Sequence, residues 1–209
     1  MKKLKFIFAL AAAFIFSGCY ETTLLTRVPI SALASDKSSD VKSTLVLTGI
    51  TPQTHETKTV TDNVRAFVPD AKFKDFPTGE NAYEMSVSVG KGEKGGKNSD
   101  KRAVRIYLDE FGDVYGKLSK NVLDQYAGAA KQGEAPTLKA AIKFENDTKD
   151  VYELVVGNDF KASDEAETGG VYTLTSGQVT GAIWADSAAV REAIAGKAVK
   201  IGTLRKAAK

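Results

Sequence analysis

The sequence predicts an α+β domain with a mainly antiparallel sheet and about three short helices. Three observations carry that expectation. First, two segments alternate strictly between apolar and polar residues. In 81–89, NAYEMSVSV, residues Tyr83, Met85, Val87 and Val89 share one face, opposite Glu84, Ser86 and Ser88; in 138–145, LKAAIKFE, residues Leu138, Ala140, Ile142 and Phe144 oppose Lys139, Lys143 and Glu145. Such one-sided strands suit antiparallel sheets with one solvated face. Second, three other stretches carry apolar residues at helical spacing. Third, these helices do not alternate regularly with the strands, which argues against a doubly wound α/β fold.

Taken in chain order, apolar runs place strands at 21–30 and 41–49, with SALASDKSSD (31–40) as a short surface connection. Around 62–68, Val64, Phe67 and Val68 fall at i, i+3 and i+4, with Asp62 as N-cap and Pro69 as a stop. Strands are expected at 103–109 and 113–118. From Ser119 to Lys131, Val122, Tyr126 and Ala130 form one helical stripe, although Gly128 costs about 1 kcal/mol relative to alanine. NDTK (146–149) and TSGQ (175–178) carry turn residues between apolar runs, so 138–156 and 171–185 read as hairpins. From Asp186 to Ala195, Val190 and Ile194 share a face and Gly196 suits a C-cap. The basic end, 197–209, closes with a short strand and a charged tail. GKGEKGGKNSDK (90–101) is the sharpest break in composition. It suits either a loop between the strands at 81–89 and 103–109 or a link that divides the mature chain, 19–209, into two subdomains near 90–102.

The amino terminus locates the protein. Lys2, Lys3 and Lys5 precede eleven apolar residues, Phe6 to Phe16. A helix of that length spans about 17 Å, short of the roughly 30 Å hydrocarbon core of a bilayer. A positive start, a short apolar core and small residues at its end describe a secretory signal. Ser17 and Gly18 then lead into Cys19, the only cysteine. FSGC resembles the lipobox of bacterial lipoproteins, with Phe16 where leucine is usual. The resemblance covers residues 1–19. It implies cleavage between Gly18 and Cys19, a diacylglyceryl group on the Cys19 sulfur and an acylated, palmitate-type amine, so that the lipid bilayer is the first partner. Tyr20 follows where the family's inner-membrane retention signal would be an aspartate, so the outer membrane is favoured.

Removing residues 1–18 takes three of the 29 basic residues and no acidic one, leaving 26 against 26. The pI near 8.8 therefore largely reflects the signal and gives no argument for nucleic acid as a partner. With Cys19 acylated, the exported body has no thiol and must hold together by its core, for which about 190 residues are ample.

No catalytic or metal-binding pattern is satisfied, and no cofactor is implied. A phosphate-binding loop needs a glycine five residues before the Gly-Lys pair and then a hydroxyl; here Lys91 and Asn98 occupy those places around Gly96–Lys97. His55, in TPQTHETKTVT, is the only histidine, which leaves a catalytic triad or a zinc site with little to draw on. Asp159, Asp164, Glu165 and Glu167 cluster in NDFKASDEAE without the alternate spacing of a calcium loop. Among the strand aromatics, Trp184 would mark a recognition surface if it shares a solvated face with Gln178 and Thr180.

These readings converge on a membrane-anchored envelope lipoprotein with a non-catalytic binding or structural role, contacting an envelope protein or polysaccharide. The mature start, 20–47, also faintly resembles uncharacterised small lipoproteins of enterobacteria and their phages, which implies a prophage-encoded protein affecting phage adsorption. A third alternative is an envelope polymer hydrolase, recognisable by a cleft with two carboxylates about 5–10 Å apart.

Overall fold

A computed structural model describes residues 21–49, 57–74, 79–94, 101–133, 135–162 and 170–207. Cys19, Gly18 and His55 lie outside these residues, as do Asp164, Glu165, Glu167 and the Gly96–Lys97 pair. Among the described residues the chain forms twelve strands and four helices. In order these are β1 (Glu21–Pro29), α1 (Ile30–Leu33), β2 (Ser39–Thr48), α2 (Thr57–Phe67), β3 (Lys72–Lys74), β4 (Asn81–Lys91), β5 (Val104–Leu108), β6 (Asp113–Leu118), α3 (Lys120–Lys131), β7 (Thr137–Glu145), β8 (Tyr152–Val156), β9 (Phe160–Ala162), β10 (Val171–Leu174), β11 (Ile183–Ala185), α4 (Ser187–Ile194) and β12 (Val199–Lys206).

The strands form one sheet in the order β10-β8-β12-β6-β5-β4-β2-β1-β7-β11-β9, with β3 added to the free part of β4. Two joins are parallel, β1–β7 and β4–β5. The sheet curls into a half-barrel. Strands β8 and β9 stand near opposite ends of the strand order, yet only residues 157–159 separate them in the chain. Gly157 makes that passage feasible: its N–H donates to the Ile201 carbonyl at 2.8 Å, and a Cβ there would lie 2.8 Å from the Lys200 oxygen. Close backbone approach of this kind is what glycine permits. β12 carries a register shift against β6 between Lys200 and Gly202, and such bulges strengthen local twist.

This architecture corrects the α+β expectation. The protein is largely β, and its helices do not form a layer of their own. They sit at the concave face of the curl, so the strand-forming alternation that signalled half-solvated sheet was signalling a sheet wrapped round an interior. The two hairpins are also corrected. β7 pairs with β1 and β11, while β8 pairs with β12 and β10. The turns at 146–149 and 175–178 instead meet each other. Asn146 is fully buried and donates to the carbonyls of Asp150 (2.7 Å) and Leu174 (2.8 Å); its own carbonyl accepts from Gly177 N–H. A side chain that replaces ladder hydrogen bonds in this way is invisible to strand periodicity. Gly90 and Lys91 are the last residues of β4, where they pair with Tyr107 and Leu108 of the neighbouring β5.

The interior divides along the strands. At the end where β1 finishes and β2 begins, α1 lies against β1, β4 and β5. There Val28, Ile30, Leu33, Val87, Val89 and Phe144 are buried in one cluster with no measurable exposure. Fully burying each such side chain is worth about 1.5–3 kcal/mol. The other end is built differently.

Candidate functional site

Toward the beginning of β1 the half-barrel is hollow. A cavity of about 190 Å³ lies between the concave face and helices α2, α3 and α4. The long strands β2, β4 and β7 contribute their inward residues from this end alone. β2 supplies Leu45 and Leu47, β4 supplies Met85, and β7 supplies Leu138, Ala140 and Ile142, whereas Val87 and Phe144 further along the same strands lie in the packed end. The cause is residue size. Ala103, Gly116, Ala140, Ala185, Ala189 and Ala193 all line the cavity, so the turn before β5, the strands β6, β7 and β11 and helix α4 present almost no side chain at these positions, where the packed end presents leucine, isoleucine and phenylalanine.

The helical stripes expected from sequence form the roof: Val64, Phe67 and Val68 from α2, Val122 and Tyr126 from α3, Val190 and Ile194 from α4. α2 begins at Thr57, so Asp62 lies inside the helix and is not its cap. Asp186 does cap α4, accepting from the N–H groups of Ala188 and Ala189 at 2.7 and 2.8 Å, and Gly196 follows its end with φ +83°. α3 starts at Ser119, whose hydroxyl accepts from Val122 N–H. The roof is joined by polar contacts at its edges. Asn121 of α3 donates to the Ala66 and Phe67 carbonyls that end α2, and the Thr61 and Tyr83 hydroxyls lie 3.3 Å apart. Burial raises the Tyr83 pKa above its ordinary value, partly offset by that hydroxyl contact. Within α3 only Val122 is buried, and within α4 only Ala189; Tyr126 of α3 and Val190, Ala193 and Ile194 of α4 also face the hollow, whereas Ala130 of the α3 stripe is exposed.

The lining is almost entirely carbon. Among the described lining residues there is no carboxylate, and only Lys117 and Lys139 are charged. A buried water needs two to four polar partners, which this surface does not supply. Protein interiors contain few voids larger than a water molecule. Because the cavity opens to the outside, this apolar lining stays within reach of solvent, and covering it is worth about 25 cal/mol per Å².

At its open end the cavity meets a mouth formed by Tyr126, Pro136, Thr137, Lys139, Trp184 and Arg191. Trp184 is half-buried and pairs in register with Ala141 and Lys161, on the convex side of the sheet beside the mouth. Thr180 is not with it on a solvated face, since its hydroxyl accepts from Phe144 N–H and it is buried. Gln178 turns back to accept from Thr175 N–H. Asp186, also at this opening, is committed to capping α4.

The other sequence candidates lie elsewhere. In the glycine-lysine segment, the Lys91 and Gly92 carbonyls accept from the Arg105 guanidinium, and Lys91 and Glu93 pair with Asp36 and Lys117. These contacts tie residues 91–93 to the sheet. Asp159 contributes its carbonyl to Asp186 N–H. Among the described residues no group of three or more His, Cys, Asp or Glu could hold a metal, and no helix is long and apolar enough to cross a membrane. Compared with protein-family models, curated proteins and solved structures, the chain finds no match.

Proposed function

We propose that this chain is an envelope lipoprotein, tethered through acylated Cys19 and favoured at the outer membrane, whose exported domain binds one apolar ligand without catalysis. The observation that supports this reading is the hollow end of the half-barrel. A dry cavity of about 150 Å³ lined by aliphatic side chains holds a benzene ring, so one of about 190 Å³ suits an apolar group of that size or a short run of hydrocarbon chain. Concave, mostly apolar sites with a few polar groups at the opening are the usual form of small-ligand sites. Covering this apolar lining removes it from water, which gives binding a driving force that needs no hydrogen bond.

The tether supports the same reading. Two or three acyl chains, at roughly 0.8 kcal/mol per buried methylene, hold a protein stably at a bilayer, where hydrocarbon is the abundant ligand. The test is mass spectrometry of the protein isolated from membranes in mild detergent. Under native conditions it retains one noncovalent lipid, and under denaturing conditions it begins at a diacylated or triacylated Cys19. An intact Met1 or a free thiol at Cys19 would end the anchor reading, and an empty domain would end the ligand reading.

A further inference from the structure

We infer that the mouth of the cavity is the membrane-facing end of the domain, so that the ligand exchanges directly with the bilayer holding the tether. The inference rests on the anchor proposed above. Cys19 stands two residues before Glu21, where β1 begins, and two residues of extended chain reach at most about 7 Å. Glu21 is held by two residues of the mouth. Its carboxylate oxygen Oε2 lies 2.6 Å from Lys139 Nζ, and its backbone pairs in parallel register with Thr137; both Lys139 and Thr137 line the mouth. Thr22 and Leu24, the next inward residues of β1, already line the cavity. The acyl chains on Cys19 therefore leave the protein beside the opening.

The opposite end is far from the tether. β1 runs nine residues to Pro29, about 26 Å at 3.3 Å per step, and there α1 closes the interior with Ile30 and Leu33 buried. β1 is antiparallel to β2, β2 is antiparallel to β4, and β4 is parallel to β5. The turn after β5 is therefore at this closed end, and it carries Phe111, which is 79% exposed. An exposed phenylalanine on a turn is a natural membrane contact, but a tether this short holds Phe111 away from the bilayer while the domain stands on its mouth. Phe111 thus marks the end that faces away.

The test uses the full-length, membrane-derived protein in vesicles of phosphatidylethanolamine and phosphatidylglycerol that contain nitroxide-labelled lipid. An environment-sensitive fluorophore is attached at Thr137→Cys on the rim in one sample and at Phe111→Cys in another; both native positions are exposed. The orientation predicts several-fold stronger quenching at 137 than at 111. Equal quenching, or stronger quenching at 111, in protein that floats with the vesicles would overturn it. Protein that does not float, or that takes up fluorophore at Cys19, would remove the anchor and this inference with it. Lipid retention, measured separately, would still report on the ligand reading.

Discussion

One sheet encloses two interiors. At the closed end, β1, β4 and β7 point Val28, Val87, Val89 and Phe144 inward against α1, and nothing is left to fill. At the open end, the same strands point Leu24, Met85 and Ala140 inward, and alanines on α4 face them across about 190 Å³. Backbone and hydrogen-bond ladder are continuous through both. The difference lies in side-chain volume at a few positions: both ends share one buried core, and small residues leave part of it unfilled at the open end.

The contrast is broken most directly by truncating one inward side chain in each half. Phe144→Ala should cost about 3–5 kcal/mol, as for buried aromatics in rigid cores. Leu138→Ala, on the same strand beside the void, forfeits fewer van der Waals partners and should cost less than about 2 kcal/mol by urea denaturation. Equal losses would mean the two interiors are packed alike. Next in size is Asn146→Ala, which leaves the buried carbonyls of Asp150 and Leu174 without their donor. At about 1–3 kcal/mol for an unsatisfied buried group, a loss of roughly 2–3 kcal/mol is expected, and a smaller one would show that the two turns hold without it.

Enlargement sharpens the comparison. Val87→Phe overpacks the closed end and should destabilise by about 1–3 kcal/mol. Ala193→Leu grows into the hollow, and its unfolding midpoint should stay within about 1 kcal/mol of wild type, since filling a void recovers cavity energy. The smallest expected effect lies on the solvated side. Asp113 accepts from Lys200 Nζ at 2.7 Å and Thr203 Oγ1 at 2.6 Å. The Lys200 bond first, then the Thr203 bond, lowers its pKa below the ordinary 3.8. A carboxylate with a depressed folded value stabilises fully above its unfolded value and loses that contribution as the pH falls through the folded one. Asp113→Asn should therefore lower stability by less than about 1 kcal/mol at pH 7, and the difference should begin to shrink near pH 3.8 and be lost as the pH falls on through the lower folded value. A difference that persists unchanged at low pH would show that the carboxylate charge is not its source.

Much of the fold was legible in the sequence, residue by residue. The alternation of Tyr83–Val89 and Leu138–Phe144 gave two long strands with the correct inward faces, and the stripes Val64–Val68, Val122–Tyr126 and Val190–Ile194 gave three helices. What those helices faced was not legible. They roof a cavity, opposite Ala103, Gly116, Ala140 and Ala185 from four separated segments. No single window shows that coincidence, although the inward Ala140 of a strong strand was a local sign of it. β3 and β9 have three residues each, too short for any period to register. The hairpins failed because turn residues specify a reversal, not the partner of the strand that follows.

The central claim is that the open half holds an apolar guest, and fluorescence titration with N-phenyl-1-naphthylamine, displaced by palmitate, tests it. Wild type should show one saturable, competable site. Ala193→Leu and Ala140→Leu, each as stable as wild type, should lose at least about tenfold in affinity, equivalent to 1.4 kcal/mol. Equal affinity in all three proteins, or no saturable binding by wild type, would contradict the account.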